Sequence, residues 1–304
     1  MPSVYPDPSP TLNGNVLSIN RLVNDPPRTA RALRTLAQQR LVSPFLFPNM
    51  IDVTGSGSLV YEVGEGIYAE DQAKIVAPLA DYPYTKTVPG TAAITKLVKQ
   101  GERTQIADET IMTSRLNVVD RNTTKMTNTV FNQYDGICLS LAASAVTATQ
   151  NAAATWGTAG AQPFADVMYA KAKVDELNVG FSIDTIFLSP TKWAQAIVSM
   201  QQAAQLPRDA QNNPILTGQL AEFGGVRFVQ TTNLPGGTSG LMVDSKQFGG
   251  QIYANLGGDW SGDPKDLQFQ AERLRRNDGW DLGIRFTKLP VVFEPAASIK
   301  LTGI

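Results

Sequence analysis

The chain has 304 residues, 42% hydrophobic and 17% charged, enough apolar side chain to bury a sizeable core, and its length suggests about two domains. Lys plus Arg number 26 and Asp plus Glu 27, a net charge of -1, which argues against a protein devoted to neutralising phosphates. There is no histidine and one cysteine, Cys138, so a histidine-based triad, a zinc centre built on His or Cys, an iron–sulfur site and a disulfide framework are excluded, whereas a carboxylate- or lysine-based enzyme is not.

Residues 1–26 read as an extended arm. Pro2, Pro6, Pro8 and Pro10 oppose helix and favour a polyproline-like path. The start "MPSVYPDPSP" lacks the basic and apolar regions of a secretory signal. "DPPRTARALRTLAQQR" predicts a short helix over 27–39, with Asp25 as cap and prolines in the first turn. Arg28, Arg31 and Arg34 recur at every third position. A solvated cationic face is the plainer account of them, and contact with acidic protein or nucleic acid is the second.

"GSLVYEVGEG" (57–66) reads as a strand and runs into "YEVGEGIYAEDQAKIVAPLADYPYTKTVPG" (61–90), where no helical face repeats and three prolines interrupt any strand. Ordering such a stretch costs on the order of 1–2 kcal/mol per residue in backbone entropy. Its own contacts cannot recover that. Tyr61, Tyr68, Tyr82 and Tyr84, with Ile67, Ile75, Val76 and Leu79, are the side chains of an interface rather than of a disordered segment. "TAAITKLVKQGERTQIADE" (91–109) alternates as a strand whose natural partner is 57–66, so the two would flank a long tip as an extended ribbon.

A long helix is expected over 108–147, with Val119, Met126, Val130, Tyr134, Ile137, Leu141 and Ala145 along one stripe and Cys138 beside it as a small buried hydrophobe. "GICLSLAASAV" (136–146) is too short to span a bilayer. After an Ala/Thr/Gly linker (149–162), Pro163 opens a helix carrying Phe164, Val167, Ala170, Val174 and Leu177, which ends at 178–180. "IDTIFLS" is a buried strand, Ser189–Pro190 starts a helix to about 204, and 206–219 is a polar loop. "GGVRFVQTT" and "SGLMVDS" are strands connected through "NLPGG". "DLQFQAERLRR" and "WDLGIRFTK" alternate on either side of "NDG", the pattern of a tight hairpin. "LPVVFEPAASIKLTGI" closes the chain as a strand pair broken at Glu294–Pro295.

Chemistry-bearing motifs are weak. "GEGIYAE" lacks the third glycine of a dinucleotide fingerprint, and "NLPGGTSG" lacks the Lys of a phosphate loop. Asp108–Glu109 reads as charge at a helix N-terminus rather than as an acid–base pair. Asp259, Asp263 and Asp266 lack calcium-loop spacing. No catalytic, cofactor-binding or metal-ligating residue is assigned.

The order of arm, ribbon, long helix, mixed α/β region and closing hairpin resembles the major capsid proteins of tailed bacteriophages, the Hong Kong 97-type shell fold. The matching stretches are "VKQGERTQIADETI", "VVDRNTTKMTNTVFNQYDGICLSL" as the spine helix with Asp135 before its small residues, "IDTIFLSPTKWAQAI", "GGVRFVQTTNLPGGTSGLMVDSKQFGG" and "RFTKLPVVFEPAASIKLTGI". The resemblance implies an α+β fold: an N-terminal arm with a short helix (1–50), the extended ribbon (51–107), the spine helix and linker of a peripheral domain (108–160), an axial domain (161–270), and a closing hairpin with a terminal strand returning to the peripheral domain (271–304). It implies a structural shell subunit, not an enzyme, joined into hexamers and pentamers around double-stranded DNA held without sequence-specific binding. Tyr68, Lys74, Tyr82, Tyr84 and Lys86 of the ribbon would touch one neighbour, and Arg28, Arg31 and Arg34 of the arm another. Arg208 and Asp209 would face the capsomere axis.

Location in the virion after assembly in the host cytoplasm, a portal and a decoration protein are implied in the same way. Some members carry an N-terminal scaffolding region that a protease removes; this sequence begins at the arm, so a separate scaffolding protein is expected. Some form Lys–Asn cross-links. Lys74, Lys86 and Asn277 are the conceivable participants, but no assisting carboxylate stands out, so a shell without cross-links is expected. The alternatives are an encapsulin compartment, which shares the fold, and an unrelated carboxylate enzyme.

Overall fold

The computed structural model describes residues 41–71, 73–113, 118–202, 222–274 and 276–304, which group into two units. The expected arm (1–26), its helix (27–39) and the polar loop (206–219) lie outside the described residues, and with them Arg28, Arg31, Arg34, Arg208 and Asp209. The first element is a short helix, α1 (Ser43–Leu46), followed by strands β1 (Asn49–Asp52), β2 (Ser58–Val63), β3 (Thr91–Lys96) and β4 (Gln100–Ala107). The single strand expected over 91–109 is therefore two. β3 pairs with β2, as expected, while β4 enters a different sheet.

One unit contains 97–134 and 253–288. Its sheet joins β4 to β11 (Gln268–Leu274) and β12 (Gly279–Phe286) in the order β11-β12-β4, all antiparallel. β12 is central and buried along nearly its whole length, which suits its apolar run Leu282, Ile284 and Phe286. The expected hairpin is present, but Leu274 pairs directly with Gly279, so the connection is 275–278 rather than a two-residue turn. Asp278 takes φ +38, a left-handed conformation that Asp tolerates better than most side chains.

After β4 come the helices α2 (Asp108–Thr113) and α3 (Val118–Ala145). The helix expected over 108–147 is thus described as two, with 114–117 outside the described residues. Asp108 at the first turn of α2 accepts from both Arg273 guanidinium nitrogens at 2.7 and 2.5 Å, and that bond holds its carboxyl below the usual range. On α3, Val119, Met126, Val130, Phe131 and Tyr134 are buried, and Tyr134 meets the Phe286 ring edge-on at 4.6 Å. Thr123 and Thr127 satisfy their buried hydroxyls by donating to the Val119 and Thr123 carbonyls.

The other unit contains 42–96, 135–252 and 289–304. Beyond Tyr134, the buried apolar positions on α3 are Cys138, Leu139, Ala142 and Ala143, beside the buried Asp135; the expected Ile137, Leu141 and Ala145 are half-buried. A strict 3–4–7 stripe drifts around a helix of 3.6 residues per turn, and the small residues mark the side that closes. Its elements are β5 (Thr149–Asn151), α4 (Pro163–Asp175), β6 (Thr185–Leu188), α5 (Pro190–Gln202), β7 (Glu222–Phe223), β8 (Val226–Gln230), β9 (Gly240–Val243), β10 (Gly249–Tyr253), β13 (Lys288–Val292) and β14 (Ser298–Thr302), the last two flanking a 3-10 turn, Pro295–Ala297. β13 begins at the boundary between the units.

A six-stranded sheet runs β5-β14-β9-β6-β8-β7, with β6 parallel to β8 and antiparallel to β9. β8 and β9 follow one another in sequence, yet β6 lies between them. β13 and β14 are not a pair either, since β13 joins β1 and β10 in a three-stranded sheet. In the six-stranded sheet the apolar strands take inner places: every residue of β6 and β9 is buried.

α4 packs on β14 and α5. The Trp156 indole donates to Asp166 Oδ2 at 2.9 Å, which ties the preceding linker to α4. Leu177, past the end of α4, is half exposed rather than on its buried face. Ser189 Oγ accepts from the Lys192 backbone at 3.4 Å, the expected cap of α5. In the three-stranded sheet, a Cβ on Gly249 would lie 2.2 Å from the Val291 carbonyl oxygen, so only glycine allows that approach.

A candidate assembly surface

The sheet positions the ribbon through its base. β2 and β3 pair antiparallel from Ser58↔Lys96 to Val63↔Thr91. On the lower face, Tyr61 sets its ring edge-on to Phe293 at 5.5 Å and shares a 3.2 Å hydrogen bond with Thr95 Oγ1. The Gly64 N–H donates to the Phe293 carbonyl at 3.0 Å, and the Glu65 N–H to Glu294 Oε1 at 3.2 Å. Burial pushes the Glu294 carboxyl up; the Glu65 N–H opposes this and the Glu65 charge adds to it. On the upper face Val60 and Ile94 are direct cross-strand partners, and each remains 67% exposed. Alternation alone does not set Ile94 opposite Val60; the register reveals the pair.

Between Val63 and Thr91 the described residues form no helix or strand. Few bonds cross the loop: the Glu70 N–H donates to the Lys86 carbonyl at 3.2 Å and the Asp71 N–H to Thr85 Oγ1 at 3.4 Å. At the tip the Ala80 N–H donates to the Ala77 carbonyl at 3.1 Å around Pro78 and Leu79. Leu79 has φ +67. Proline followed by a positive φ matches a type II turn, in which the third position normally belongs to glycine. Here a leucine occupies it, wholly exposed, with Ile75 equally bare nearby in sequence.

Of the sequence-predicted contact residues, Lys74, Tyr82, Tyr84 and Lys86 are exposed, and all lie on this loop. Tyr68 differs. Its ring is largely exposed, but its hydroxyl donates to the Asn178 carbonyl of the same chain. Two hollows flank the loop. One, of about 540 Å³, lies at the base between Tyr68, Val88, Phe181 and Glu294. The other, of about 450 Å³, lies towards the tip and is walled by Ala73, Lys74, Tyr82, Pro83 and Tyr84. Sequence reasoning counted Leu79 among the apolar side chains of this stretch but assigned it no contact; Pro78 before it was the available signal.

Among the described residues no group of three or more His, Cys, Asp or Glu side chains could hold a metal ion, and no helix is long and apolar enough to cross a membrane. Cys138 is fully buried.

A family model described as phage capsid protein matches residues 90–301. Among solved structures, the capsid of cyanophage P-SCSP1u is 14% identical, with a TM-score of 0.65 over 86% of this chain and 87% of its own. The mature capsid of bacteriophage PhiM1 is 10% identical, with a TM-score of 0.60 over 87% and 88%. A protein of Mycobacterium phage Adephagia is 12% identical, with a TM-score of 0.59 over 86% and 89%. No curated protein sequence matches the chain.

Proposed function

We propose, because the chain belongs to the phage capsid protein family and is a structural subunit of a tailed-phage head, that its copies close into hexamers and pentamers through their ribbons. The fold is the Hong Kong 97-type expected from the order of elements. An encapsulin compartment is not favoured, since the matching family and structures are of phage capsids.

The observation that carries the proposal is the loop between β2 and β3. Ile67, Tyr68, Ile75, Leu79, Tyr82, Tyr84 and Val88 are all largely exposed, from Val88 at 57% to Leu79 at 108%. Burying one such side chain contributes roughly 1.5–3 kcal/mol. Burial of these side chains on a neighbour offsets part of the entropy lost in ordering the loop, which its own contacts do not. A loop ordered in this way needs the partner, and the partner in a shell is another copy. Tyr82, Tyr84, Lys74 and Lys86 would meet one neighbour, with Tyr68 holding the base through Asn178. Arg28, Arg31 and Arg34 would reach another, and the segment with Arg208 and Asp209 would gather at the capsomere axis. The shell would enclose double-stranded DNA without reading its sequence, in keeping with the charge of -1. Assembly in the host cytoplasm with a separate scaffolding protein and a portal, and with room for a decoration protein, completes the reading.

Electron microscopy of the expressed protein with negative stain tests it. Closed, uniform shells are expected, alone or on adding the scaffolding protein. A chain that stays monomeric and compact at high concentration under both conditions would overturn the proposal.

A further inference from the structure

The two-stranded sheet of β2 and β3 uses one face within its own chain and leaves the other open. Tyr61, with its ring against Phe293, lies on the lower face. Alternation sets Ser58, Val60, Glu62, Ala92, Ile94 and Lys96 on the upper one, where all are exposed except the half-buried Ser58. Val60 and Ile94 pair at the middle of this face, Glu62 and Ala92 at the end towards the tip, and Ser58 and Lys96 at the end towards the base. An apolar pair therefore stands between an acid at one end and a base at the other. Ser58 and Glu62 are four positions apart, about 13 Å at ~3.3 Å per residue, so the two charges of one chain are held well separated.

Such a face fits its own copy. Turned end for end and laid on a second copy, it sets Val60 against Val60 and Ile94 against Ile94. Lys96 then comes over the second copy's Ala92, a small residue whose cross-strand neighbour is Glu62, and the reverse pair forms at the other end. Laid end on like end, the same face would put acid beside acid and base beside base. Charge selects the first arrangement. A contact of this kind has a two-fold axis, and a shell needs one. Ribbon tips that reach round a ring make head-to-tail contacts, which close rings but do not join one ring to the next.

We propose that the upper face of β2 and β3 is the two-fold contact between neighbouring rings, made with the same face of a second copy. The inference rests on the shell proposal and deepens it: it uses none of the tip residues and names what joins ring to ring. In this arrangement the two ribbons point in opposite directions, so each tip stays free for its own ring. Six residues a side fall far short of the roughly 20–30 that a stable pair buries, so the contact is weak alone and acts through its repetition over the shell.

The test is made on shells of the full chain. The sequence has one cysteine, Cys138, and it is fully buried, so an Ile94→Cys chain presents a single accessible thiol. A short bismaleimide adds one thiol across the double bond of each of its rings, and here joins two chains only where position 94 meets position 94. Most of the chain should then run as a covalent dimer in denaturing electrophoresis. If that variant does not assemble, Val60→Cys replaces it, since position 60 meets its own copy in the same way. Separately, Glu62→Lys and Lys96→Glu each set like charges together, and the yield of shells should fall about tenfold, with free rings in their place. The chain carrying both changes should recover shells. A defect from losing the bond that the Gly90 N–H donates to Glu62 would persist in that double variant. Shells without covalent dimer, or single reversals that assemble as fully as the parent, overturn the inference and leave the shell proposal standing. A double variant no better than the single ones overturns the charge pairing. Failure of the unaltered chain to form particles, alone or with the scaffolding protein, sinks the shell proposal, and this inference with it.

Discussion

Asp135 is a charge-capable side chain in the middle of a helix, 4% exposed, and two backbone N–H groups explain why it is there. Val42 donates to Oδ2 at 3.0 Å and Ser43 to Oδ1 at 2.9 Å, at the start of α1. The carboxylate thus satisfies orphan donors at the N-terminus of α1. Burial nevertheless outweighs these bonds and pushes its carboxyl up. A raised native value means that the folded chain holds a proton over a window in which the unfolded chain has lost it. Stability from this group is therefore full below the ordinary carboxylate value of about 3.9 and falls as pH rises through the raised one. Asp135→Asn removes that slope. Urea midpoints of the unassembled chain, taken from neutral pH down through the window, should rise more in the parent than in the variant. Parallel curves would refute the assignment.

At the scale of elements, β2 and β3 form a ribbon whose base is well tied and whose tip is not. Tyr61 packs its ring on Phe293, and the Gly64 and Glu65 N–H groups donate to Phe293 and Glu294, while beyond Glu65 the bonds thin out and the apolar side chains open to solvent. The turn at Pro78–Leu79 shows the two demands in conflict. Placing leucine at φ +67 costs about 1–2 kcal/mol relative to glycine, and its side chain gains nothing within the chain. On the shell proposal, that cost is offset by what Leu79 would touch on a neighbouring copy. Leu79→Gly should leave the thermal midpoint unchanged or slightly raised and still lower the yield of shells severalfold, as read by sedimentation. A variant that assembles as fully as the parent would remove Leu79 from the interface.

For the whole molecule, the proposal separates folding from assembly. Among the described residues every buried side chain lies outside 66–88, with Tyr134, Phe286, Trp156, Phe187 and Phe248 among the largest. Removing 66–88 takes away exposed apolar surface and no core. The shortened chain should keep its circular dichroism spectrum and unfold cooperatively, yet form no closed particles in the microscope. Normal shells from it would contradict the role given to the ribbon, and loss of cooperative unfolding would contradict its independence from the core.

Much of this was readable from residue order because the signals are local. Period-two alternation marked β11 and β12, Ser189–Pro190 marked the start of α5, and the missing histidine removed whole classes of chemistry before any fold was known. The stretch 61–90 was legible as something other than core for the same reason: an apolar, aromatic run with prolines and no period has no face to bury. Neighbours in space were another matter. That β6 separates β8 from β9, that β4 leaves β3 for β12, and that Asp135 caps a helix some ninety positions earlier depend on which backbone groups and apolar faces find each other across long loops. Hydrogen-bond partners and burial at such separations are settled by the packed whole, because no local pattern carries the energy that selects them.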